Sequence, residues 1–408
     1  MKTGMIVLCL FLLTGCWDKI ELEEQAFVVV VGLDKGKEGM LDVTFQIANP
    51  QVGSTDRSKA DKEKAYEIVT LSAPNLSVAT QMANVSVTRN ITLSHVKALI
   101  VGEELARDNM FLHISETITK ERGLRESVLF LVSKENASSF IRNNKTPFET
   151  RPHKFYDLMG ERWKETGFVP LSTYQMYLKN IQHDAGAFLS IYGTAKNRHQ
   201  KVKKEEDENV AGEVKIRSGS HTQSIGSVVF KNGKAIGKLT GEETRLTLLL
   251  QQDSDVHELT TSFTDPIKTE KTIGTRIIIE KKAKIKVNTK KSSPFITATV
   301  PVKVDLVSVP SLVNYSTNIK NGDRLKSHIE KELERKTDKV VKKSQEELEV
   351  DIFEFYYAAR RKFLTMKQYE AYNWMKSYPK ATVIIHYEVE LYQFGEQVLP
   401  TNRQRVRD

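Results

Sequence analysis

Both cysteines of this 408-residue chain, Cys9 and Cys16, lie within its first sixteen residues. Everything after Cys16 must therefore fold without a thiol. That placement rules out disulfide frameworks, thiolate zinc or iron–sulfur sites and cysteine nucleophiles in the body of the chain. Stability rests instead on packing and hydrogen bonds. At roughly 100–200 residues per domain, the length predicts two or three domains, each able to bury a core.

The residues before Cys16 give those two cysteines a context. Met1-Lys2 is a basic start, and an apolar run follows from Met5 to Leu13 with no charge in it. Such a run is shorter than the about 20 residues a membrane-crossing helix needs. It ends in Leu13-Thr14-Gly15-Cys16. An apolar residue, two small ones and a cysteine resemble the lipobox of bacterial lipoproteins. The resemblance implies that residues 1–15 are a signal peptide and that Cys16 becomes the N-terminus, carrying S-diacylglycerol and N-palmitoyl groups. One acyl chain binds a bilayer marginally, whereas two chains anchor stably. No later segment approaches about 18 consecutive apolar residues, the longest candidate being 26–31. The expectation is a chain anchored to a membrane without spanning it.

Lys and Arg outnumber Asp and Glu by 61 to 52, a net charge of +9 that becomes +8 when Lys2 leaves with the signal. A basic excess suits an anionic leaflet. Export makes nucleic acid an unexpected partner.

Hydropathy patterning predicts an α+β, multidomain chain of mixed β-sheets flanked by helices. The β-branched run at 27–31 reads as a buried strand, 41–47 as its hairpin partner across a Gly36/Gly39 turn, and 66–71 as a third strand. The stretch 49–64 reads as an exposed loop. Asn75 is placed to cap a helix whose apolar face is Leu76, Ala79, Met82 and Ala83. Strands at 96–101, 128–132 and 187–194 alternate with helices at 102–119, 136–142 and 171–181.

Residues 198–209 are almost wholly polar and read as a solvated loop. Beyond them, Asn232-Gly233 signals a type I′ hairpin between strands 227–230 and 235–239. A helix is expected over 242–251, then two long strands, 272–287 and 295–307. Leu325, Ile329, Leu333, Val340 and Val341 stripe a long helix over 323–346. An aromatic buried run at 353–357, a short helix at 366–376 and a strand at 383–391 complete the pattern. The implied division is 1–15 signal peptide, 16–197 N-terminal mixed α/β domain, 198–218 charged linker or loop, 219–397 C-terminal α+β domain and 398–408 polar tail.

Little in the chain advertises chemistry. No two of the nine histidines are closer than 16 residues, so HExxH and related zinc spacings are absent. There is no phosphate-binding glycine loop and no nucleophile elbow. Ser94-His95 adjoin, but on a strand neighbouring side chains face opposite ways, and a local structural hydrogen bond is the expected role of His95. Glu103 and Glu104 sit where a helix N-terminus favours acid. The carboxylates at 205–208 lie in a polar run with nothing apolar to perturb them. Lysines alternating with Ala283, Ile285 and Val287 describe a strand with one wet face guarding a sheet edge. The sequence points to no catalytic residue, metal ligand or cofactor, and binding or assembly is the expected role.

Four stretches resemble one family. They are Cys16-Trp17-Asp18-Lys19 with Glu21-Leu22 and Val31-Gly32-Leu33-Asp34; Thr88-Arg89-Asn90 with Ser94-His95-Val96-Lys97 and the run Ile100 to Ala106; Gly226 to Phe230 with Gly237-Lys238-Leu239 and Glu242-Glu243; and the stretch from Gly322 through Trp374 to Val389. Together they are similar to Ger(x)C spore germination lipoproteins, the C subunits of nutrient germinant receptors. The resemblance implies a non-enzymatic subunit on the outer face of the spore inner membrane, acting with integral membrane A and B subunits. Only Cys16 carries over as a functional position, as the lipid-bearing residue. A transporter's solute-binding lipoprotein, with two doubly wound lobes around a cleft, an exported enzyme and an assembly factor of the same fold stay open as alternatives.

Overall fold

Seven consecutive buried residues, Val28 to Asp34, make β1 (Gln25–Lys35) an interior strand with both faces covered. The computed structural model describes residues 24–49, 65–121, 123–145, 152–182, 186–196, 207–254, 256–290 and 293–392. The signal-like segment with Cys9 and Cys16, the stretch 50–64, residues 197–206 and the tail from 393 lie outside them.

β2 (Leu41–Ala48) and β3 (Tyr66–Ala73) follow β1 as an antiparallel meander. Asn75 then caps α1 (Leu76–Ala83), its side chain accepting from the Val78 amide at 2.9 Å. Short β4 (Asn90–Thr92) lies beside the start of β1, and β5 (Ala98–Gly102) runs parallel to β1. The single helix expected over 102–119 is two, α2 (Glu103–Ala106) and α3 (Asn109–Ile118). Asp108 separates them because its side chain caps the second, accepting from the Met110 amide at 2.9 Å. β6 (Leu129–Ser133), α4 (Ala137–Asn143), α5 (Pro152–Thr166), α6 (Tyr174–Gln182) and β7 (Phe188–Thr194) continue the parallel part. The sequence pattern did not reveal α5: among its described side chains only Tyr156 and Met159 are buried, too few to set a stripe.

β8 (Gln223–Lys231) then joins the same sheet antiparallel to β7, and β9 (Lys234–Leu239) follows antiparallel to β8. Their turn is the expected hairpin, with Asn232 and Gly233 at φ 50° and 75°. The result is a nine-stranded mixed sheet in the order β3-β2-β1-β5-β6-β7-β8-β9, with β4 alongside β1. It takes strands from both sides of residues 198–218.

After α7 (Gly241–Leu250), the chain builds a second, five-stranded sheet from β10 (Glu258–Thr264), β11 (Thr272–Ile278), β12 (Lys284–Asn288), β13 (Phe295–Ser308) and β14 (Thr382–Leu391). The long strand expected over 272–287 is interrupted. Ile278 pairs with Lys303 but Lys284 with Thr299, so six residues advance on one strand against four on the other. The surplus bulges out at 279–283. β14 occupies the opposite edge of β13 along 295–304, in parallel. Lys284 and Lys286 are exposed while Ala283 and Val287 are buried, the two-faced edge that the alternation predicts.

The long helix α8 (Ile319–Lys342) buries Leu325, Ile329, Leu333, Val340 and Val341, the expected stripe, and adds Thr337. Thr337 Oγ1 lies 2.8 Å from the Tyr387 hydroxyl on β14, which pins the helix to that strand. A π-helical turn, Lys343–Glu347, ends it. Short helices α9 (Tyr356–Arg360), α10 (Met366–Tyr372) and α11 (Trp374–Ser377) follow before β14. Asn373, at φ 50°, breaks the one helix expected over 366–376 into two.

Alternation along the central strands sorts the interior into two cores. Leu99, Val101, Phe130 and Val132 face one way, into a cluster of rings that includes Phe111, Tyr177 and Phe230. Phe130 and Tyr177 stack with centroids 5.1 Å apart. Ala98, Ile100, Leu129 and Leu131 face the other way, into a core shared with α7, α8 and the five-stranded sheet. The architecture is α+β with mixed sheets, and it is not a pair of doubly wound lobes.

Candidate functional site

Cys16, the one site residue expected from sequence, lies outside the described residues. His95 makes the local contact expected of it. Its Nδ1 lies 2.9 Å from Ser94 Oγ, and its ring meets Phe27 edge-on at 4.7 Å. The two side chains can meet because residues 94–95 form a turn, not a strand. Among the described residues no three His, Cys, Asp or Glu side chains converge as metal ligands.

Glu103 does more than favour a helix N-terminus. It accepts from the Tyr192 hydroxyl at 2.6 Å, Lys238 Nζ at 3.1 Å and Arg107 Nε at 3.0 Å. Burial alone would raise its carboxyl, but those donors together hold it below the ordinary range. The Glu103 carboxylate thereby ties α2 to β7 and β9.

The solvated run expected around 205–208 stops short of Asp207. That residue is 6% exposed, and Arg245 of α7 donates to it at 2.9 Å. Arg245 also donates to the carbonyls of Thr166 and Thr260 and covers the Phe168 ring at 3.7 Å. Each charged group has its partner within the protein, so this is a structural junction and no site.

A cleft of about 610 Å³ opens where the segment after α8 returns to the nine-stranded sheet. Its volume falls in the range of small-molecule sites. Segment 348–356 is tied down at several points. The Ala187 amide donates to the Asp351 carbonyl at 3.0 Å, Lys231 to the Glu349 carbonyl at 2.9 Å, and Gln251 to the Ile352 carbonyl at 2.8 Å. These bonds place β7, the end of α7 and helices α9 to α11 around one cavity, walled by Phe188, Tyr356, Tyr357 and Trp374.

Two carboxylates govern this region. Asp351 is fully buried and fully used, accepting from the amides of Phe353 and Tyr356 and from Trp374 Nε1 at 3.0, 2.8 and 3.0 Å. Burial outweighs these bonds and pushes its carboxyl up to about 6. Glu354 lines the cleft, and its Oε2 is sealed from solvent without a hydrogen-bond partner in the protein. Burial, with the charges of Asp253 and Asp351, pushes its carboxyl up to about 8. Its backbone stands at φ 62°, left-handed for a residue with a Cβ, at a cost of roughly 1–2 kcal/mol. In the sequence this stretch reads as an aromatic run, and the signal it also carries is an acid placed inside it, Asp351-Ile352-Phe353-Glu354-Phe355.

Comparison with known proteins finds two family models along the chain. Residues 18–193 match the family model "Spore germination protein N-terminal domain" and residues 225–395 match "Spore germination B3/GerAC like, C-terminal". Spore germination protein KC of Bacillus subtilis (strain 168) is 23% identical over 150 residues, 36% of this chain and 37% of that protein. Spore germination proteins A3 and B3 of the same organism are 26% and 24% identical, over 37% and 38% of this chain and 40% and 41% of their own lengths. The matched stretches thus span less than half of each relative. The crystal structure of the GerBC protein superposes with a TM-score of 0.49 at 16% identity, covering 88% of this chain and 96% of that one. With both family models matched in order along it, the chain belongs to the Ger(x)C family of spore germination proteins.

Proposed function

We propose that this protein is a lipid-anchored, non-enzymatic subunit of a spore nutrient germinant receptor. It is held through Cys16 on the outer face of the spore inner membrane and assembles there with integral membrane A and B subunits. The observation that carries the reading is the pair of germination family matches along a chain that carries Leu13-Thr14-Gly15-Cys16 ahead of them. Among the described residues no helix is long and apolar enough to cross a membrane, which suits attachment by lipid. A two-chain anchor converts the search for membrane partners from three dimensions to two and raises effective concentration without new contacts. The competing reading, a transporter's solute-binding lipoprotein, gains nothing from the two mixed sheets.

Replacing Cys16 tests the proposal. Spores carrying Cys16→Ala should lose palmitate labelling of the protein, release it from the inner-membrane fraction and lose refractility more slowly after nutrient addition. Full membrane retention with normal germination would defeat the anchoring argument.

A further inference from the structure

We propose that the cleft beneath segment 348–374 binds a small organic ammonium ion, with the Glu354 carboxylate as its counter-ion and the rings of Tyr356, Tyr357 and Trp374 as its walls. Five charged side chains line the cleft: Lys179, Asp253, Glu354, Arg360 and Glu370. Four of them are exposed, two basic and two acidic, so the rim carries no net charge. Glu354 is the fifth, half-buried, with one oxygen sealed from solvent and lacking any protein donor. The interior therefore holds a single uncompensated acid.

Desolvating a carboxylate without a donor is unfavourable, and nearby Asp253 and Asp351 make it more so. Asp351 offers no relief, because its own oxygens are committed to Phe353, Tyr356 and Trp374. A backbone in the left-handed region holds Glu354 in this place against local preference. What the site lacks is a cation with N–H donors. A metal ion would need several converging ligands, which the described residues do not supply. An ammonium needs one carboxylate, and aromatic faces add cation–π attraction. Leu189, Leu248 and Met366 also line the cleft and favour an apolar body on that ammonium.

The proton balance follows. Free Glu354, with its carboxyl pushed up to about 8, is mostly protonated at neutral pH. An entering ammonium donates an N–H to Oε2, the carboxylic acid gives its proton to buffer, and close to one proton is released per ligand bound.

The test uses the full-length chain in detergent micelles and n-butylammonium as probe, titrated calorimetrically at pH 7 in two buffers of different ionisation enthalpy. The expected result is saturable one-to-one binding with release of close to one proton, and no saturable heat from n-butanol. Glu354→Gln keeps the side-chain shape and should weaken binding at least about tenfold and abolish the proton release, with an unchanged near-ultraviolet circular dichroism spectrum. Absence of saturation by n-butylammonium, equal binding of n-butanol, or undiminished binding by Glu354→Gln would each overturn the proposal. The titration needs neither Cys16 nor partner subunits, so its result is independent of the anchoring reading.

Discussion

Replacing Arg245 by Met tests whether the junction beneath α7 holds the two halves of the chain together. Met keeps the length of the apolar stem but removes every donor. The guanidinium joins α7 to three other segments: it donates to Asp207, to the Thr166 carbonyl at 2.8 Å and to the Thr260 carbonyl at 3.0 Å, and it lies 3.7 Å over Phe168. The side chains of Arg245 and Asp207 are only 7% and 9% exposed, so solvent cannot replace the lost partner. Removing one member of a buried ion pair costs about 3–5 kcal/mol, because the other charge stays behind. Arg245→Met is placed in the middle of that range, at about 4 kcal/mol. Asp207→Ala should cost less, about 2–3 kcal/mol, since Arg245 keeps two carbonyl acceptors. The double variant should then be more stable than the sum of the two losses implies, by at least about 1 kcal/mol. Urea unfolding followed by both tryptophan fluorescence and circular dichroism measures all four corners of the cycle and shows whether the probes coincide. A loss below about 1 kcal/mol for Arg245→Met, or additivity within about 0.5 kcal/mol, would refute the reasoning.

Three further outcomes are expected. Glu354 holds its proton longer in the folded chain than its ordinary 4.5, up to about 8, so its contribution to stability is present at low pH and lost as pH rises through that window. At about 1.4 kcal/mol per proton per pH unit, and with Glu354 half deprotonated by pH 8, the native chain should lose about 2 kcal/mol relative to Glu354→Gln between pH 6 and 8, and parallel pH profiles would contradict this. Gly102→Ala should destabilise by about 1–3 kcal/mol in thermal melts, because its Cβ would stand 2.4 Å from Asp34 Oδ1, the cap of α4. Ile329→Ala, at a fully buried position of the α8 stripe, should cost about 2–5 kcal/mol by urea midpoint.

Local signals were readable wherever local physics decides. The valine run gives β1, Asn75 caps α1, Asn232-Gly233 makes its hairpin, and the apolar stripe lies on the buried face of α8. Two residues from the stretches behind the family resemblance, Asp34 and Gly32, are structural. Asp34 accepts from the Ala137 and Ser138 amides at 2.6 and 2.9 Å, and a Cβ on Gly32 would meet Ile141 at 2.7 Å. Failures came where a distant partner decides. Asp207 looks solvated because Arg245 lies 38 residues further on. The strand over 272–287 looks continuous because its bulge is set by register against β13. The cleft was invisible for the same reason: its walls come from residues 170–189, 248–254 and 354–374, which share no sequence pattern.

The order of synthesis gives the crossing of β8 and β9 a further meaning. β7 is buried along all seven residues, yet half of its ladder waits for β8, which begins at Gln223. A chain emerging N-terminus first exposes this apolar strand as an open edge until residue 231 has appeared, and β8 in turn waits for β9. Open apolar edges are templates for mispairing. A truncation at residue 193, where the N-terminal family match ends, leaves that edge open for good. Such a fragment should aggregate, whereas one extended through Leu250 carries its own closing hairpin and the helix that follows it.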